Sequence, residues 1–136
     1  TMKQVAHIAS IFVFAIFMAS CTNGQNKANS AGIAENVNVE AFEKHISSAQ
    51  LVDVRTPQEW NEGIMEGAVM ANFYDSDFKQ QLEKLDKEKP VAVYCKVGGR
   101  SGQAMSMMQE MGFKEIYNLK GGMDAWKSAK KPTVNP

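Results

Sequence analysis

Cys95-Lys96-Val97-Gly98-Gly99-Arg100-Ser101 is the segment whose residue types and spacing point most directly to chemistry. Two adjacent glycines let the backbone curl tightly, because Gly reaches positive φ without a steric penalty. A tight curl turns successive N–H groups inward and makes an anion-binding concavity. A helix expected to open near Ser101 adds the positive end of its dipole at the same place. Lys96 and Arg100 add two full positive charges. All of these favour thiolate over thiol at Cys95. A Cys at a strand end is commonly an inert buried residue. The curl, the cations and the helix reverse that reading and predict a nucleophilic sulfur in an anion cradle. No neighbouring base is required, since the cradle itself stabilises the charged form.

The flanking elements must hold this loop. Val91-Ala92-Val93-Tyr94 is the clearest strand, and it delivers Cys95 at its carboxyl end. Ser101 to Met111 reads as a helix stopped by Gly112 at C′. Upstream, Asn38 can cap a helix over 39–47, and Leu51-Val52-Asp53-Val54 reads as a buried strand. Thr56-Pro57-Gln58-Glu59 has the capping-box pattern, with Pro at the first helical position and Glu at the third. Ala68-Val69-Met70 is a weak strand, and residues 76–86 carry helical spacing. Ile116-Tyr117-Asn118-Leu119 is a last strand before Gly121-Gly122 and a helix bearing Trp126. Strands alternate with helices, so the fold class is α/β with a mostly parallel sheet flanked by helices. In such sheets, sites lie beyond the carboxyl ends of the strands, which is where Cys95 falls.

The chain has 136 residues, 44% of them hydrophobic, enough for one core. Fifteen basic residues balance 15 acidic ones, so no charge excess calls for nucleic acid. Two cysteines cannot build a disulfide scaffold or a four-ligand zinc site. The reading needs no metal and no cofactor. At the N-terminus, Ile8 to Ser20 is an uncharged stretch after Lys3. It is shorter than the roughly 20 residues of a bilayer span and fits the apolar core of a signal peptide. Met18-Ala19-Ser20-Cys21 is similar to a bacterial lipobox, in which Cys21 becomes the lipid-modified first residue. An ordinary secretory signal or a short anchor are the alternatives. The expected organisation is a signal peptide over 1–20, a flexible tether over 21–35, a domain over 36–131 and a C-terminal tail over 132–136. Export would place the domain in the bacterial envelope, lipid-anchored and facing the periplasm or the cell surface.

Across roughly residues 37–129 the sequence resembles the rhodanese family. Asp53-Val54-Arg55-Thr56-Pro57 with Glu59-Trp60 matches its N-terminal signature. The Cys95–Ser101 segment matches its active loop. Leu119-Lys120-Gly121-Gly122-Met123 with Ala125-Trp126 matches its C-terminal signature. Ile64 stands where the family usually has His, and Asn72 where many relatives have Pro. The resemblance implies a three-layer rhodanese-like domain and sulfane-sulfur transfer. Cys95 would take sulfur from a small anionic donor such as thiosulfate, or from a persulfide. It would carry it as a persulfide and pass it to cyanide or a thiol. The N–H groups of residues 96–100 would hold the persulfide anion. Lys96 would orient the donor. Arg100 would either point inward or fix the loop through a carboxylate, and the sequence leaves both open. The C-x4-R spacing separates this loop from the C-x5-R loops of similar phosphatases and arsenate reductases, whose wider cradle takes a tetrahedral oxyanion. A sulfur carrier without turnover is the alternative, and a phosphatase- or arsenate reductase-like enzyme the further one.

Other residues read as structural. Asp53 and Arg55 suit an ion pair, and the capping box accounts for Glu59. His45 has no metal partner in its helix. Ala104, Met105, Met108 and Met111 form an ordinary apolar face, with Met107 off it. Trp60 and Trp126 are core or edge anchors, Trp126 with the option of lining the pocket mouth.

Overall fold

The computed structural model describes residues 32–136. The expected signal segment, Cys21 and the start of the tether lie outside them. Ten elements follow one another: β1 (Ile33–Val37), α1 (Val39–Ile46), β2 (Gln50–Asp53), α2 (Pro57–Trp60), β3 (Val69–Met70), α3 (Phe78–Glu83), β4 (Val91–Tyr94), α4 (Gly99–Glu110), β5 (Glu115–Leu119) and α5 (Gly122–Ser128). The five strands form one parallel sheet in the order β1-β5-β4-β2-β3.

The local signals explain most of these boundaries. Asn38 accepts the Ala41 N–H and caps α1. Thr56 and Glu59 form the reciprocal capping box of α2. Gly112, at φ +92°, ends α4. The N–H groups of Gly112 and Phe113 return to the carbonyls of Gln109 and Met108, closing a Schellman motif.

β4 is the centre of the domain, with no exposed residue. Its period of two splits the core. Val91, Val93 and Cys95 face a cluster with Leu82 of α3 and Ala104 and Met108 of α4. Ala92 and Tyr94 face the opposite cluster, with Phe42 of α1 and Met123 and Trp126 of α5. The result is three layers, helices on both faces of the sheet. In the second cluster the Phe42 ring meets Tyr94 and Trp126 edge-on, at centroid distances of 6.4 and 6.5 Å. Each such pair adds about 0.5–1.5 kcal/mol beyond area burial.

Two expectations are corrected. The tether assigned to residues 21–35 does not extend that far, because Ile33 already begins β1, an edge strand paired with β5. Gly32 runs so close to the 113–114 backbone that a Cβ there would lie 2.5 Å from the Phe113 carbonyl. Nor are residues 132–136 a free tail. Val134 exchanges backbone hydrogen bonds with Ile64, and the Pro132 carbonyl accepts Trp126 Nε1–H at 2.8 Å. Ile64 is buried in this contact.

Candidate active site

Cys95 follows directly on β4 and is 1% exposed. The loop proper is only Lys96–Gly98. Gly98 adopts φ +103° and is the N-cap of α4, so the helix starts at Gly99 rather than Ser101. Arg100 and Ser101 therefore sit in its first turn. Cys95 Sγ accepts the Gly98 N–H at 3.1 Å and the Ser101 hydroxyl at 3.3 Å. Burial by itself pushes the thiol up. The Ser101 hydroxyl and the N–H groups of Ser101, Gly98 and Val97 outweigh it, and Cys95 is held below the ordinary thiol value. The sequence anticipated a backbone cradle over 96–100. The structure aims the Gly98 N–H and Ser101 at the sulfur.

The base of the loop is gripped by the start of α5. The N–H groups of Met123 and Asp124 donate to the carbonyls of Cys95 and Lys96 at 2.8 and 3.0 Å. Only Gly permits this approach at position 122. A Cβ there would lie 2.5 Å from the Cys95 oxygen and from the carbonyl carbon and oxygen of Lys96. In the sequence Gly121-Gly122 reads only as the approach to the last helix and as part of a family signature, and this contact is not visible there. From the sheet side, Asn118 of β5 donates Nδ2–H to the Gly98 carbonyl and to Asn36 Oδ1 of β1. That link was also unread, because it joins residues up to 82 positions apart.

Arg100 resolves the choice the sequence left open. Its guanidinium binds Glu59 in fork geometry, Nη1 to Oε2 at 2.8 Å and Nη2 to Oε1 at 2.7 Å. The Tyr74 ring lies 5.7 Å from the guanidinium carbon. Glu59 therefore does more than cap α2. The Arg100 pair first, with the Thr56 hydrogen bonds added, brings its carboxyl down to about 2. Position 59 is fixed in turn by Arg55, which donates to the Glu59 and Gly63 carbonyls. Arg55 also pairs with buried Asp53 at 2.7 Å, the structural ion pair expected. Lys96 and Val97 are both exposed, Val97 at 61%. Lys96 has no carboxylate at ion-pair distance among the described residues.

The residues set aside stay away from the sulfur. The His45 ring stacks on Tyr117 at 3.6 Å. Trp126 is buried beside Phe42, in the core cluster on the face of the sheet opposite Cys95. Met108 is buried, and Met105, Met107 and Met111 pack partly buried against the same cluster. This also accounts for Met107.

The family model of the rhodanese-like domain matches residues 38–129. A protein named sulfurtransferase from Allochromatium vinosum is 33% identical over 86 residues, which is 63% of this chain and 78% of that protein. The thiosulfate sulfurtransferase GlpE of Coxiella burnetii is 39% identical over 78 residues, 57% of this chain and 71% of that one. The solution structure of the polysulfide-sulfur transferase homodimer of Wolinella succinogenes aligns with a TM-score of 0.64 at 30% identity. It covers 80% of this chain and 82% of that one.

Proposed function

The chain belongs to the rhodanese-like domain family, and from that premise we propose that it transfers sulfane sulfur through a persulfide on Cys95. The observation that carries the reading is the sulfur itself, buried at the end of β4 with the Ser101 hydroxyl and the Gly98 N–H directed at it. The thiolate attacks the outer sulfur of thiosulfate or of a persulfide. The old S–S bond breaks, and sulfite or a thiolate leaves with the electron pair. The new Cys95–S–S⁻ anion inherits the donors that held the thiolate. An acceptor thiolate, or cyanide in an assay, attacks the terminal sulfur, and Cys95 leaves as thiolate. The reaction is ping-pong covalent catalysis, and the fixed donors need no reorganisation as charge moves. The names of the Coxiella and Wolinella relatives support thiosulfate and polysulfide as donor classes to test. A phosphatase reading is disfavoured by Arg100, whose fork is occupied by Glu59 instead of being free for an oxyanion.

The proposal extends to location. Cys21 would carry the lipid that holds the domain to an envelope membrane. Lipid labelling lost in Cys21→Ala would support this, and an unlabelled full-length chain would end it.

The deciding experiment assays thiosulfate-to-cyanide transfer beside Cys95→Ala and reads intact mass after thiosulfate. Turnover with a gain of one sulfur atom, both lost in the variant, is the expected result. A stable gain without turnover would indicate a sulfur carrier. Neither signal from folded, reduced protein would sink thiosulfate as the donor. Cys95-dependent cleavage of an aryl phosphate would overturn the transferase reading.

A further inference from the structure

Arg100 sits in the first turn of α4, next to the serine whose hydroxyl touches Cys95 Sγ. Left alone, its charge would make the mouth of the cradle strongly positive. Glu59 cancels that charge at hydrogen-bond distance, with both partners about four-fifths buried. Cys95 is among the groups that hold Arg100 protonated, so the two lie within electrostatic reach. Two further charged side chains, Lys96 in the loop and Asp124 at the start of α5, are both exposed. The site therefore presents backbone dipoles, the Ser101 hydroxyl and two solvated side chains of opposite charge, with the guanidinium already neutralised.

We propose that Glu59 is a positioning residue that sets donor selectivity: by neutralising Arg100 it disfavours doubly charged donors and favours singly charged ones of the hydropersulfide class. This rests on the sulfur-transfer reading for its biological meaning. Its electrostatic core does not. Attraction scales with the product of charges, so a mouth stripped of one cation loses twice as much attraction for a dianion such as thiosulfate as for a monoanion. Val97, exposed in the loop, and the Tyr74 ring, 68% exposed and 5.7 Å from the Arg100 guanidinium carbon, offer apolar surface that suits an organic substituent better than sulfite.

The test compares Cys95 alkylation by iodoacetate, an anion, with iodoacetamide, which is neutral, at one pH. In each reaction the thiolate displaces iodide at carbon, and no sulfur transfer is needed. The ratio of the two rates cancels differences in thiolate fraction and reads the local potential. In Glu59→Gln the iodoacetate preference should rise, roughly threefold to tenfold. In Arg100→Gln, which exposes an uncompensated carboxylate, it should fall. The double variant should return close to the parent ratio. A merely structural role would move both single variants the same way, and the double variant further. That pattern, or unchanged ratios, overturns the proposal. A parallel arm compares kcat/KM for thiosulfate with that for a monoanionic aryl thiosulfonate. Glu59→Gln should shift the balance toward thiosulfate. If the parent chain transfers sulfur from neither donor, the functional reading fails while the alkylation ratios still decide the role of Glu59.

Discussion

Replacing Gly122 by Ala puts a methyl group 2.5 Å from three backbone atoms of Cys95 and Lys96. None of these is the end of a flexible side chain. Ordinary contact begins at 3.4 Å, so the loop base and the start of α5 must separate by about 0.9 Å. That separation removes or stretches the two hydrogen bonds from Met123 and Asp124, at about 1 kcal/mol each. Position 122 also has φ +57°, and a left-handed alanine costs a further 1–2 kcal/mol, roughly. A loss of about 3–4 kcal/mol lowers Tm by roughly 15–25 °C in a domain of this size. Where the variant stays folded, a misplacement near 1 Å at the nucleophile costs about a hundredfold in transfer. Thermal melts and thiosulfate-to-cyanide turnover are read together. Gly99→Ala, where an added Cβ meets nothing within 4 Å, is the stability control. A Gly122→Ala protein that melts with the control and turns over normally refutes the claim that α5 positions the loop.

Two further outcomes follow from the same geometry. Ser101→Ala removes the hydroxyl on Sγ, so the Cys95 thiol should rise. Alkylation at neutral pH should slow about threefold to tenfold. An unchanged midpoint in the pH–rate profile would count against the hydroxyl as a thiolate donor. Glu59 is held at about 2 against an ordinary 4.5, so its folded value lies below its unfolded one. The stabilisation is whole above pH 4.5 and is lost as pH falls through about 2. Urea unfolding should show the parent exceeding Glu59→Gln by about 1–2 kcal/mol at neutral pH, after discounting for solvent screening. The gap should shrink in acid, and a gap that persists there would refute the ion-pair account.

What the sequence disclosed was local. The caps at Asn38 and Thr56, the stop at Gly112 and the apolar run of β4 each carry their signal within a few residues. Cys95 was legible because its loop and helix are contiguous with it. β1 was not. Ile33-Ala34-Glu35-Asn36-Val37 is an edge strand with three exposed positions and follows a polar stretch, so no buried alternation marks it. Its pairing lies with residues 115–119. Glu59 was hidden for a different reason: the capping box gave it a complete local explanation. Its second partner is 41 residues away. Asn118, Met123 and Asp124 also act on the loop across the fold, and two of these contacts use backbone N–H groups that leave no side-chain signature.

The grip of α5 and Asn118 on the loop falls on main-chain carbonyls, at Cys95, Lys96 and Gly98. The side chains of Lys96 and Val97 take no part in it and stand in solvent. Heredity can therefore rewrite these two letters at small cost to the nucleophile, since the carbonyls that are held remain whatever side chain is attached. One part of the loop is free to explore new donors while the other conserves the reaction. A lineage of such domains could diversify in what it serves without rebuilding how it works.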